Sequence, residues 1–124
     1  MLSLFIRAYL LLIYFDFYLA RGNFADLYGK VRNHHLRDIP NSEDVVQKIC
    51  SAVDLACIWY WKEVLCLQRS AATTCLLKQN GVSAQLFIGA QRIPFRAHAW
   101  VEVDGRVVND KPYMREVYAV LDRC

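Results

Sequence analysis

Sulfur becomes an effective nucleophile when an imidazole removes its proton and a carboxylate holds that imidazole in one tautomer and one orientation. Cys66, His98 and Asp110 are the residues of this sequence whose surroundings suit those three roles. Cys66 opens the run Cys66-Leu67-Gln68-Arg69-Ser70. From there Leu67, Ala71, Thr74 and either Leu76 or Leu77 recur at helical intervals as far as Asn80-Gly81, a natural helix stop. A thiol in the first turn of that helix feels the positive end of the macrodipole, which favours the thiolate. The unpaired N–H groups of the same turn can hold a developing oxyanion. Cys75, late in the helix, gets no such help and reads as structural.

Beyond Gly81 the period changes from 3.6 to 2. Val82, Ala84, Leu86 and Ile88 alternate with Ser83, Gln85 and Phe87 as one strand, Gly89 to Arg96 with Pro94 reads as a loop, and Ala97 to Val103 is a second strand. Asp104-Gly105 signals a hairpin into a third strand, Arg106 to Asp110. The loop length decides the chemistry. A two-residue loop sets Val103 opposite Arg106 and His98 opposite Lys111, which turns Asp110 to the other face. A three-residue loop of Val103, Asp104 and Gly105, with Gly105 left-handed in a bulge, sets Glu102 opposite Arg106, Trp100 opposite Val108 and His98 opposite Asp110. Opposed residues have Cβ atoms about 5 Å apart, close enough for a carboxylate to accept from an imidazole. The opposed charges of Glu102 and Arg106 favour the three-residue loop, which is the expected register. Asp104, six strand residues away and so about 20 Å from His98, is a poor orienter.

The remaining elements must hold this arrangement in place. Asn41 or Ser42, followed by Glu43 and Asp44, starts a helix whose Val45, Val46, Ile49, Cys50, Val53, Ala56 and Cys57 form one apolar stripe. Its two thiols read as packing residues. The first twenty residues are apolar and aromatic, but the longest uncharged run between Arg7 and Asp16 is Ala8 to Phe15, short of a membrane span, and Tyr18-Leu19-Ala20 makes a poor signal-cleavage site. The expectation is a helical arm over residues 1–37, continuing after Gly22 as Phe24-Ala25-x-Leu27-Tyr28-x-x-Val31. It packs on the domain or on a partner, and its aromatic surface would mark an interaction site. Helices first and an antiparallel sheet after them make an α+β fold, with residues 1–124 as one domain.

Composition agrees with a folded domain and excludes other classes. The chain has 124 residues, 56% hydrophobic and 22% charged, which argues against disorder. Fifteen basic against twelve acidic residues give a net charge of +3, with 5 against 3 up to residue 40 and 10 against 9 after it, so no basic arm points to nucleic acid. Cys50, Cys57, Cys66, Cys75 and Cys124 are odd in number and contain no C-x-x-C pair, which suits reduced thiols in the cytoplasm better than a zinc site or a disulfide framework. His34 and His35 have only Asp38 near them, too few ligands for a metal, and no cofactor is expected.

Three stretches carry a family likeness. They are Cys66-Leu67-x-Arg69-Ser70; Leu76-Leu77-x-x-x-Gly81-Val82-x-Ala84-x-Leu86-x-Ile88-Gly89; and Phe95-x-Ala97-His98-Ala99-Trp100-Val101-Glu102-Val103-Asp104-Gly105 with Val108-Asn109-Asp110. Together they resemble the transglutaminase-like cysteine peptidases of lasso peptide biosynthesis, in particular the stand-alone peptidase form of the lasso B protein. The motif-bearing likeness runs from about Val45 to Asp110, and the apolar arm followed by Arg21-Gly22-x-Phe24 resembles that family's N-terminus. The resemblance implies a papain-like or transglutaminase-like core with Cys66 as nucleophile, His98 as base and Asp110 as orienter. It implies removal of the leader from a ribosomally made precursor peptide, with a separate leader-binding protein and the ATP-dependent lasso cyclase as partners. Ala71-Ala72-Thr73-Thr74 departs from the leucine-rich stretch common in the family, a difference of packing.

Other residues keep two readings. The backbone N–H of Cys66 is one oxyanion donor, and Gln68 or Trp61 is a candidate for the second on proximity in sequence alone. Arg69 either holds a carboxylate or stands on the helix surface. Trp100 is a cleft wall or core, with core the expected role. Two rival functions are a non-catalytic peptide-binding or protein-binding module and an enzyme that transfers the acyl group to an amine.

Overall fold

In the computed structural model, which describes residues 2–22, 24–40, 43–92 and 94–124, four helices precede the sheet. Helices α1 (Leu2–Ala20), α2 (Phe24–Arg32), α3 (Glu43–Trp59) and α4 (Cys66–Gln79) come first, and β1 (Ala84–Gln91) and β2 (Arg96–Val103) follow. The chain ends with β3 (Arg106–Val107), α5 (Met114–Val117) and β4 (Ala119–Arg123). The proposed start of α3 at Asn41 or Ser42 lies outside the described residues.

The central element is α4. It is buried continuously from Ser70 to Lys78, packed between α1, α3 and the sheet. Ala71 and Ala72 let its neighbours approach closely, and the hydroxyls of Thr73 and Thr74 donate to the carbonyls of Arg69 and Ser70 one turn back, so neither hydroxyl is stranded. Against it α1 lays Ala8, Leu12 and Phe15, and α3 lays Ile49, Val53 and Ala56, all essentially without solvent contact. The two charges in α1 are satisfied inside the molecule: Arg7 donates to Gln79, and Asp16 accepts from Tyr60 and pairs with Lys62. By length and composition alone α1 is also long and apolar enough to cross a membrane. Its outer face exposes Leu2, Ile6, Leu10 and Phe17. Cys50 and Cys57 are half-buried along α3 rather than enclosed.

The sheet is antiparallel with strand order β3-β2-β1-β4. Ala99, Val101 and Val103 of β2 face the helices with Ala84 and Leu86 of β1. On the opposite face Phe87, Trp100 and Met114 form a second, smaller core.

Four details differ from the sequence expectation. The stretch from Gly89 to Gln91 is strand, paired with β2 throughout, because nothing in its backbone prevents the ladder from continuing; the loop is confined to the residues between Gln91 and Arg96. The hairpin loop has two residues, not three: Val103 pairs with Arg106, and Asp104 and Gly105 both adopt positive φ, 51° and 76°, the geometry of a tight turn matched to strand twist. The third strand is also short, ending at Val107 instead of Asp110. Finally, Glu102 does not pair with Arg106. It binds Arg115 through both oxygens, at 2.7 and 2.9 Å.

Candidate active site

Cys66 is the first residue of α4, with Leu65 at the N-cap. Leu65 has no side-chain acceptor to offer, so the N–H groups of the first turn stay available to a ligand oxygen. His98 lies near the start of β2, opposite Gly89 of β1. The two meet at a shallow apolar cavity of about 120 Å³, lined by Phe24, Cys66, Leu67, Ile88, Ala97, His98 and Ala99. Among the described residues the Cys66 side chain makes no hydrogen bond; it joins the histidine by sharing this cavity.

The second half of the site is tighter. His98 Nε2 lies 2.6 Å from Asp110 Oδ2. An ionised carboxylate can only accept, so Nε2 carries a proton, and in the neutral ring Nδ1 keeps the lone pair. The other oxygen, Oδ1, accepts from the Lys111 backbone N–H at 2.8 Å. Burial pushes the Asp110 carboxyl up. The hydrogen bonds from His98 and Lys111, with the charges of His98 and Arg69, outweigh that and hold it below the ordinary aspartate value.

This contact does not come from opposed strand positions. In the observed register His98 would face Lys111 if the ladder continued, and Asp110 would point to the far side. The chain instead leaves the ladder after Val108, whose N–H donates to Val101, and residues 109 and 110 swing round to the histidine. The expected pair is present; the expected reason for it is not.

Aromatic rings fix the imidazole from its other side. Tyr118 stacks on His98 with centroids 5.2 Å apart, and Trp100 lies 6.2 Å away, nearly parallel. Trp100 is fully buried, as expected of a core residue, and its Nε1 donates to Glu102 at 2.8 Å. Burial pushes the Glu102 carboxyl up, but bonds from Arg115 and Trp100 bring it below its ordinary value. A chain of contacts thus runs from Arg115 through Glu102 and Trp100 to His98.

Tyr118, Phe24 and Ile88 are site-lining residues that spacing did not single out. Tyr118 belongs to the segment after Asp110, which has no alternation to read. The candidates for a second oxyanion donor are elsewhere. Gln68 donates to the Leu12 carbonyl in the buried α1–α4 contact, and Trp61 is 72% exposed. Arg69 does hold a carboxylate: its Nε lies 3.3 Å from Asp54, and its guanidinium also donates to the Asn109 carbonyl. Away from the site, His34 is hydrogen-bonded to Gln79 and His35 is exposed.

A thiol, an imidazole and a carboxylate are the groups that pass a thiol proton to a base, attack an acyl carbon and return the proton to a leaving group. Comparison with known proteins bears on this chemistry. The family model of the transglutaminase-like superfamily matches residues 10–123. Over 121 residues, 96% of this chain, the sequence is 31% identical to the microcin J25-processing protein McjB of Escherichia coli. The matched region spans 58% of that protein's length. No solved structure matches.

Proposed function

The chain belongs to the transglutaminase-like superfamily, as its motifs led us to expect, and from that premise we propose that it is a cysteine peptidase that cuts the leader from a ribosomally made lasso peptide precursor. The observation that carries this reading is the 2.6 Å bond from His98 to Asp110, made by a residue that lines the same cavity as Cys66. The identity to a microcin-processing protein supports the substrate class.

In this reading the three residues act in turn. Nδ1 of His98 takes the Cys66 proton, and Sγ attacks the carbonyl carbon of the last leader residue. The oxyanion is held by the free N–H groups of the first turn of α4. The imidazolium, stabilised by Asp110, gives its proton to the departing amine of the core peptide, and a thioester to Cys66 remains. Water, deprotonated by His98, attacks that thioester; Sγ leaves as thiolate, and the leader departs with a free carboxylate.

The released amine is then available to a separate ATP-dependent cyclase, and a leader-binding protein presents the substrate. We assign the reaction to the cytoplasm, a reading supported by five cysteines that are all free. The test is incubation of the purified chain with its precursor peptide, with and without the leader-binding protein, followed by mass analysis. A leader fragment heavier by one water than its acyl residue, absent with Cys66→Ala, is the expected product. An amide-linked leader would point to acyl transfer, and full cleavage by Cys66→Ala would remove the sulfur from the reaction.

A further inference from the structure

Asp110 reaches His98 only because the chain abandons the β2–β3 ladder one residue earlier. Leaving a ladder ordinarily strands the partner's N–H and C=O groups, a cost of about 1–3 kcal/mol when they are buried. Here the side chain of Asn109 takes over the broken position. Its Oδ1 accepts the Val101 N–H at 2.8 Å, the bond that the next strand carbonyl would have made. Its Nδ2 donates to Ser70 Oγ at 3.0 Å, and Ser70 in turn donates to the Ala99 carbonyl at 3.1 Å. Its own carbonyl accepts from Arg69. Asn109 is only 7% exposed, and every hydrogen-bonding group described here for it is directed at either β2 or α4.

Ser70 stands four residues after Cys66, one turn further along the same face of α4. The amide of Asn109 therefore ties three parts together: the strand that carries His98, the helix that begins with Cys66, and the loop that carries Asp110. We infer that Asn109 is a positioning residue, a side-chain replacement for a strand hydrogen bond that frees Asp110 to orient the imidazole while keeping it in register with the cysteine helix. A carboxylate at residue 109 could accept from Val101 but could not donate to Ser70. An alanine could do neither.

This inference rests on the peptidase reading for its consequence in catalysis but not for its structural content, so two readouts separate them. The first is the ¹⁵N spectrum of the His98 ring in the whole chain, recorded at a pH at which the spectrum itself shows a neutral ring. Wild type should show the tautomer protonated at Nε2, and Asn109→Ala a mixture. Asn109→Asp, which keeps the acceptor for Val101, should retain more of the wild-type tautomer, and Ser70→Ala should shift it in the same sense as Asn109→Ala. The second is kcat/KM on the precursor, expected to fall about 10- to 100-fold in Asn109→Ala, as for a misplacement on the order of 1 Å.

If Asn109→Ala does not fold, Ser70→Ala decides. A folded Asn109→Ala or Ser70→Ala protein whose ring keeps the wild-type tautomer overturns the inference, even if its melting temperature has dropped. A shifted tautomer in a protein that cuts no peptide upholds the inference and removes the peptidase reading.

Discussion

The ring of Tyr118 lies over the imidazole of His98, with centroids 5.2 Å apart and planes inclined by 29°. Stacking of this kind contributes about 0.5–1.5 kcal/mol beyond simple burial. Here it limits ring rotation about the last side-chain bond of His98. Tyr118→Phe keeps the ring and should leave peptide cleavage near wild type. Tyr118→Ala should lower kcat more than it raises KM, by about tenfold for a loss in this range. Equal activity of the two variants would show that the stack does not hold the base.

Thiol labelling separates Cys66 from its four neighbours. Burial pushes Cys50 up to about 11 and Cys75 up to about 12, and it raises Cys57 and Cys124 as well. Only the thiolate reacts with iodoacetamide. Near neutral pH, peptide mapping should therefore find Cys66 carboxamidomethylated first. Uniform labelling, or faster reaction at Cys57, would contradict the assignment of Cys66 as nucleophile.

Gly89 is held to its size by the same cluster. A methyl group on its Cα would sit 2.8 Å from the Trp100 ring and 2.9 Å from Tyr118 Cβ. Trp100 is wholly enclosed and has nowhere to retreat. Gly89→Ala should cost about 1–3 kcal/mol, read as a drop of several degrees in melting temperature, and should reduce activity through the displaced rings. An unchanged melting temperature would mean that the sheet yields more easily than this packing implies.

Acid should weaken the fold through Asp110. Its folded value is lowered, so at neutral pH it is charged in both states and contributes its full stabilisation. As pH falls past the ordinary aspartate value of about 3.9, the unfolded chain binds the proton first, and the contribution disappears once the folded value is passed. Asp110→Asn keeps the shape and removes the titration. The difference in melting temperature between wild type and Asp110→Asn should therefore begin to close below about pH 4. A difference that persists undiminished in stronger acid would contradict a depressed Asp110.

The parts of this architecture written in local periodicity were legible in the sequence. Leu67, Ala71 and Thr74 mark the cysteine helix, and alternation marks β1 and β2. What failed was inference across the hairpin. Counting residues from His98 to Asp110 presumed an unbroken ladder, whereas a two-residue turn and an early exit after Val108 reach the same contact by another path. No local pattern announces that exit, because it depends on Asn109 finding Ser70, 39 residues earlier. The edge strand β4 was equally hidden: all five of its residues are exposed, so no apolar stripe betrays it. Tyr118, just before that strand, could be placed only in three dimensions.

Two destinations compete for α1. At 19 residues it spans about 28 Å, close to the hydrocarbon thickness of a bilayer. Yet Leu12 and Phe15 are buried in the body of the protein, and the Leu12 carbonyl is the acceptor for Gln68, two residues beyond Cys66. Drawing this helix into lipid would uncover one flank of α4 and strand the Gln68 amide two residues from Cys66. Insertion and the packing that holds the Cys66 helix are therefore alternatives for a single molecule, and truncation or fusion at the N-terminus acts on that helix directly.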